Sequence, residues 1–144
     1  MKKILIVDDE YLIRYALSTV LHDSSTEVIS VADGKTALET IKNQHVDLCF
    51  LDIHLPDMNG LDIMNTFREI SPWTRIIIMT GSVITGTMMS SIREKAHCLV
   101  SKPFDLEEVI SVVNRLLARD RTQRREKGYS GSNEESSIQW MGES

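Results

Sequence analysis

Apolar runs of strand length alternate along this chain with stretches of helical apolar spacing. Residues 3–7 read as a strand whose positions 4–7 form one unbroken β-branched and leucine run, as a strand covered on both faces requires. Residues 10–22 carry Leu12, Ile13, Ala16, Leu17, Val20 and Leu21, a helical spacing with one buried face. Residues 27–32 read as a second strand. Asp33-Gly34 then opens a helix through Ala37, Leu38 and Ile41, with Asp33 as its N-cap. A third strand covers 47–52. Gly60 leads into a helix with Leu61, Met64 and Phe67 on one face, broken at Ser71-Pro72. Residues 75–80 and 98–101 supply a fourth and a fifth strand. Asp105 caps the last helix, with Glu108 completing an Asp-x-x-Glu capping box and Leu106, Val109, Val113 and Leu116 on the apolar face.

The helix predicted over 82–94 is the weak member. Met88, Met89 and Ile92 can face inward, but Gly81, Thr85, Gly86, Thr87, Ser90 and Ser91 are mostly poor helix formers. Low propensity makes it the element readiest to shift.

Five strand–helix repeats predict an α/β fold: a five-stranded parallel sheet, doubly wound, with helices on both faces. In such sheets functional groups gather at the carboxyl ends of the strands. After about residue 118 the pattern changes. Residues 121–127 are charged without an apolar face, 128–137 are rich in Gly, Ser, Asn and Glu, and 138–144 regain apolar character but are too few to fold alone. The expected division is a domain over 1–120 and a charged, flexible linker and tail over 121–144.

Length and composition suit one domain plus an appendage: 144 residues, 42% apolar and 26% charged. The net charge of -5 argues against general nucleic-acid binding by the domain. No apolar stretch is long enough to cross a bilayer, and the N-terminus lacks the apolar region of a secretory signal. A cytoplasmic protein is expected, with Cys49 and Cys98 as small buried hydrophobes. His22, His45 and His97 have no evident partner and read as surface residues.

The chemistry lies at the strand ends. The first strand ends in Asp8-Asp9, the third in Asp52, the fourth in Thr80 and the fifth in Lys102. Parallel strands bring all of these to one edge. A carboxylate there is costly without partners. A hard divalent cation takes oxygen ligands and resolves the repulsion; a hydrated acidic rim without metal is the plainer alternative. Lys102 is either a salt-bridge partner or a point charge for a phosphoryl group, and Thr80 either a strand-ending residue or a hydroxyl donor. Together they offer what phosphoryl transfer to a carboxylate nucleophile needs.

These residues resemble a known pattern. Val7-Asp8-Asp9-Glu10, Leu51-Asp52-Ile53-His54-Leu55-Pro56, Asn59-Gly60, Met79-Thr80-Gly81 and Lys102-Pro103-Phe104 are similar to the motifs of the CheY-like receiver domain of bacterial two-component response regulators, over residues 3 to about 118. The resemblance implies a flavodoxin-like receiver fold. It implies that Asp52 accepts a phosphoryl group from a sensor histidine kinase. Mg2+ (or Mn2+) would be held by Asp9, Asp52 and the His54 main-chain carbonyl, with Asp8 acting through water. Lys102 would pair with the phosphate, Thr80 would swing in to bond it, and the Lys102-Pro103 peptide would be cis. Beyond its own phosphoryl transfer and slow autodephosphorylation, no enzyme activity is implied.

Two departures stand out. Similar domains usually have an aromatic residue three positions before the lysine, where this chain has Leu99; Gly81 stands where alanine is commoner. The expected switch therefore runs through Thr80 and Leu99 without an aromatic rotamer change, and His54 has a side chain at the mouth of the site able to affect acyl-phosphate hydrolysis. The expected output is a change in the surface of helix 82–94, strand 98–101 and the last helix that controls homodimerisation. Residues 138–144 resemble the start of the AAA+ domain of nitrogen-regulator-type (NtrC-like) transcriptional activators, which suggests DNA contact only through an output domain absent from this chain. A stand-alone receiver acting by protein–protein contact and a Mg-dependent aspartyl-phosphate phosphatase are the alternatives. The second fits poorly, since its Asp-x-Asp belongs after the first strand.

Overall fold

The computed structural model describes residues 1–118 and 136–141. The elements in chain order are β1 (Lys2–Val7), α1 (Tyr11–Leu21), β2 (Thr26–Val31), α2 (Gly34–Asn43), β3 (Leu48–Asp52), α3 (Gly60–Ile70), β4 (Arg75–Thr80), α4 (Gly86–Lys95), β5 (Cys98–Ser101), α5 (Leu106–Leu117) and β6 (Ile138–Trp140). They build one sheet of order β2-β1-β3-β4-β5-β6. Strands β1 to β5 pair in parallel, and β6 pairs antiparallel to β5.

Alternation of side chains along each strand separates two cores. Leu5, Val7, Cys49, Leu51, Ile76, Ile78 and Leu99 face α2, α3 and α4. Ile4, Ile6, Leu48, Phe50, Ile77, Met79 and Val100 face α1 and α5. Both faces of the central strands are therefore dry, which is why their sequences are unbroken apolar runs. The strand order reverses between β1 and β3, and their carboxyl ends flank the crevice where such folds place their chemistry.

Several local expectations meet the structure directly. The Asp33 side chain accepts from Thr36 N at 2.8 Å as N-cap of α2. Both cysteines are buried free thiols, with burial the main cause that pushes their pKa values up, to about 12 for Cys98.

Others are corrected. Among the described residues the sheet has six strands and is not purely parallel, because Ile138–Trp140 pairs antiparallel along the outer edge of β5. An open edge presents unpaired N–H and C=O groups, so even a short apolar segment gains by closing it. Leu12 is 74% exposed. Leu17 and Leu21 set the buried face of α1, and five residues at 3.6 per turn place Leu12 about 140° from Leu17. The capping box on α5 is opened: Asp105 accepts from Glu107 N at 2.8 Å, while Glu108 Oε1 accepts Ser137 N at 3.2 Å and Ser137 Oγ at 3.0 Å. Two of the three histidines read as partnerless surface residues have partners. His45 lies 3.0 Å from Asp47 Oδ1 and stacks on Trp73. His97 Nδ1 accepts from Ile76 N at 3.3 Å, and burial chiefly, with Arg68 and Arg75 nearby, pulls its pKa down to about 4. The charged run 121–127 lies outside the described residues.

Candidate functional site

The parallel sheet brings the strand-end residues to one edge. β1 runs out at Val7, so Asp8 and Asp9 begin the following loop, and the register Asp52↔Met79 sets the end of β3 beside Thr80. Oxygens of Asp8, Asp9 and Asp52 all lie within 4.8 Å of one another. Asp8 is fully buried and Asp52 is 4% exposed, whereas Asp9 is open to solvent. The three form a carboxylate basin with one wet side.

The backbone holds two of these carboxylates in place. Asp8 Oδ1 accepts from Glu10 N at 2.9 Å, and Asp52 Oδ1 accepts from His54 N at 3.0 Å. Arg14 Nη1 fixes the Asp8 carbonyl at 2.8 Å. Gly60 is needed behind Asp52: a Cβ there would stand 2.2 Å from the Asp52 carbonyl oxygen and 2.7 Å from Ile53 Cα. The turn closes with Gly60 N donating to Ile53 O at 2.8 Å.

Lys102 supplies the positive charge. Its Nζ lies 2.8 Å from Asp8 Oδ2 and 3.2 Å from both Asp52 Oδ2 and Glu10 Oε1. The Lys102–Pro103 peptide is cis, and Lys102 N donates to Thr80 O at 2.8 Å. Burial works against the ammonium, but the hydrogen bond and charge of Asp8, the charge of Asp52 and the Glu10 contact outweigh it, and the pKa is raised. For Asp8, burial is the largest influence and raises its pKa; Lys102 and the Glu10 amide offset it in part, and the Asp52 charge adds to it.

One ammonium against three carboxylates and Glu10 leaves the basin negative. All-oxygen donors, converging and open on one side, fit a hard divalent cation that keeps water ligands. The set can hold such a metal.

Thr80 and His54 meet through an unforeseen residue. Ser82 N donates to Thr80 Oγ1 at 3.1 Å, Thr80 Oγ1 donates to Ser82 O at 3.3 Å, and His54 Nε2 lies 2.9 Å from Ser82 Oγ. The Thr80 hydroxyl is thus engaged by its own loop. Leu99, 4% exposed, pairs with Ile78 on one side and Gln139 on the other. Glu10, Arg14 and Ser82 were missed as site residues. Glu10 alone carried a signal, as a third acid after the pair at the end of β1.

A buried acidic basin with one lysine, at the carboxyl edge of a doubly wound sheet, defines a class of phosphoryl-handling α/β domains. The response regulator receiver domain family matches residues 4–114, and the chain belongs to it. Receiver domains are regulatory phosphoacceptors that interact with histidine kinases. The chain is 35% identical over 117 residues to the regulatory protein AtoC of Escherichia coli, covering 81% of this chain and 25% of that protein. It is 34% identical over 116 residues to the sporulation initiation phosphotransferase F of Bacillus subtilis, covering 81% of this chain and 94% of that one. Among solved structures, the CheY-like receiver domain protein of Methanospirillum hungatei superposes with a TM-score of 0.77 at 26% identity, over 81% of this chain and 94% of that one. The chain thus spans nearly all of one relative and a quarter of another. No described helix is long and apolar enough to cross a membrane.

Proposed function

We propose that the chain accepts a phosphoryl group on Asp52 from the phosphohistidine of a sensor histidine kinase and passes the signal through its α4–β5–α5 surface. The observation that carries this reading is the shared grip of Lys102 on Asp8 and Asp52 beside a metal-competent basin. A carboxylate oxygen of Asp52 attacks phosphorus. The oxygen–phosphorus bond forms as the phosphorus–nitrogen bond breaks, and the electron pair leaves with the imidazole, which takes up a proton. His54 N, already on Asp52 Oδ1, orients the nucleophile. Lys102 Nζ moves from Asp8 and Asp52 onto an equatorial oxygen. Asp9, Asp52 and the His54 carbonyl would hold Mg2+ or Mn2+, with Asp8 contributing through a water. The cation, when bound, neutralises charge on the transferring oxygens.

The Thr80 hydroxyl leaves Ser82 for the phosphoryl group and draws the β4–α4 loop inward. Low helix propensity in α4 makes that movement inexpensive. Tyr11 and Leu12, exposed on α1 next to the basin, provide apolar surface on which a phosphodonor protein can dock. The resulting surface change controls dimerisation and, in a longer chain, transcription through an output domain, within the cytoplasm.

Mass spectrometry after treatment with acetyl phosphate and Mg2+ tests the reading. A single phosphoryl adduct is expected in the wild type and none in Asp52→Asn. Equal adduct in both moves the nucleophile elsewhere; repeated turnover of a phosphomonoester identifies a phosphatase instead.

A further inference from the structure

The sixth strand has no part in phosphoryl chemistry, yet it is anchored at both ends and on both faces. Ser101 N donates to Ser137 O at 2.9 Å, and Met141 N donates to His97 O at 3.1 Å, so the ladder closes at both ends of β5. On one face Ile138 packs into the α1/α5 core, and the Arg115 guanidinium lies 4.2 Å over the Trp140 ring. Glu108 accepts from both donors of Ser137, its N–H and its hydroxyl. On the other face Met141, 7% exposed, joins the cluster that holds Ile92, Ala96 and Leu99. A three-residue strand is a weak ladder alone. Here side chains on both faces reinforce it, and covalent connection to α5 makes its docking intramolecular.

We propose that Ser137–Met141 is a cis-acting strap. It occupies the β5 edge and the adjoining flanks of α4 and α5, keeps a second copy of the chain off that face, and loosens from its Lys102 end when the pocket is filled. The excluded partner is a second copy for a geometric reason. An uncovered strand edge is a template for another strand, and β5 can meet β5 of an identical chain antiparallel across a two-fold axis. The apolar seats of Ile138 and Met141 would become part of that interface.

The loosening, which rests on the phosphoacceptor reading, follows from connectivity. Ser101, which holds Ser137 O, directly precedes Lys102, whose Nζ bonds Asp8 and Asp52. A phosphoryl group on Asp52 draws that ammonium and with it the end of β5. Leu99, which has no aromatic ring to reorient, is paired through its backbone to Gln139 of the strap. The strap therefore reports the pocket through the ladder.

The test uses the full chain with two independent lesions, Gln139→Pro, which breaks the ladder, and Met141→Asp, which unseats the side chain. Amide exchange at Ser101, at a dilution where every chain is monomeric, and sedimentation equilibrium over a concentration series are measured without metal or phosphodonor. The expected result is slow exchange in the wild type, faster by at least about tenfold in both variants, with self-association tightened by about tenfold. Equal Ser101 exchange in all three overturns docking. Unchanged association overturns the blocked face, and weaker association in the variants shows pairing between copies and overturns the cis arrangement. A second arm adds beryllofluoride and Mg2+ to the wild type, where faster Ser101 exchange is expected alongside shifted amides at Asp52 and Lys102. Shifted pocket amides with Ser101 still protected overturn the loosening alone. Unshifted pocket amides overturn the phosphoacceptor reading and the loosening with it, while the first arm still decides whether the strap blocks the face.

Discussion

Lys102 Nζ lies 2.8 Å from Asp8 Oδ2, nearer than its 3.2 Å approach to Asp52, so the ammonium is held most closely by the carboxylate that is wholly out of water. Burial nonetheless dominates at Asp8 and raises its pKa above the ordinary 3.8. The folded state keeps that proton over a pH window in which the unfolded chain has lost it. Stability from this group is therefore greatest on the acid side and falls as pH rises through the window. At neutral pH the charged Asp8 is a cost retained for the site. Asp8→Asn is expected to raise the unfolding free energy at neutral pH by about 1 kcal/mol without divalent cation. Added Mg2+ should stabilise the wild type more than the variant, which keeps the direct ligands but loses the carboxylate that holds a metal-bound water. Urea denaturation with and without the metal checks both.

Removal of the ammonium has the opposite balance. Lys102→Ala leaves Asp8 and Asp52 facing each other with no cation between them, and an equatorial phosphoryl oxygen with no partner. Labelling by acetyl phosphate is expected to slow by about a hundredfold, the scale of losing one preorganised charge-stabilising group. Glu10→Gln, at a side chain more than half exposed, is expected to change the rate by only a few-fold. Comparable losses in the two variants would contradict the role given to Lys102.

Two glycines separate steric need from permissiveness. At Gly60 an added Cβ meets main-chain atoms of Asp52 and Ile53, which cannot yield without displacing the nucleophile. Gly60→Ala is expected to cost about 2–4 kcal/mol and to abolish phosphorylation. At Gly86, the first residue of α4, nothing lies within 4 Å. Gly86→Ala is expected to stabilise the fold by about 0.5–1 kcal/mol, because alanine loses less backbone freedom there. Thermal melts distinguish the two directions.

Much of the fold was legible because burial on both faces leaves a plain signature. The runs at β1, β3 and β4 are apolar without interruption, and the helices between them carry spaced apolar residues. Strand ends then placed Asp8, Asp52, Thr80 and Lys102 at one edge without any distance being known. What stayed hidden was tertiary in origin. Three residues, Ile138–Trp140, have no periodicity to measure and form a strand only because β5 offers an edge. Glu108 read as a capping residue, since a partner 29 positions away in Ser137 leaves no local trace. Ser82 fell at the start of the helix predicted over 82–94, whereas α4 begins at Gly86 and folding sets Ser82 between Thr80 and His54.

His97 gives the clearest pH dependence. Its ring accepts the Ile76 amide in the neutral form, and burial with two nearby arginines depresses its pKa to about 4 from an ordinary 6.5. The unfolded chain therefore takes up a proton at a pH where the folded chain does not. Stability from neutral His97 is complete above 6.5 and is lost as pH falls toward 4. Solvent reaches part of the ring, so the loss is about 1–2 kcal/mol, less than the full shift would give. This slope opposes that of Asp8, whose contribution grows toward acid. His97→Gln removes the titration and should flatten the decline in urea midpoint between neutral and mildly acid pH, leaving the acid-side gain from Asp8 visible. The same decline in wild type and variant would assign the pH dependence to the carboxylates alone.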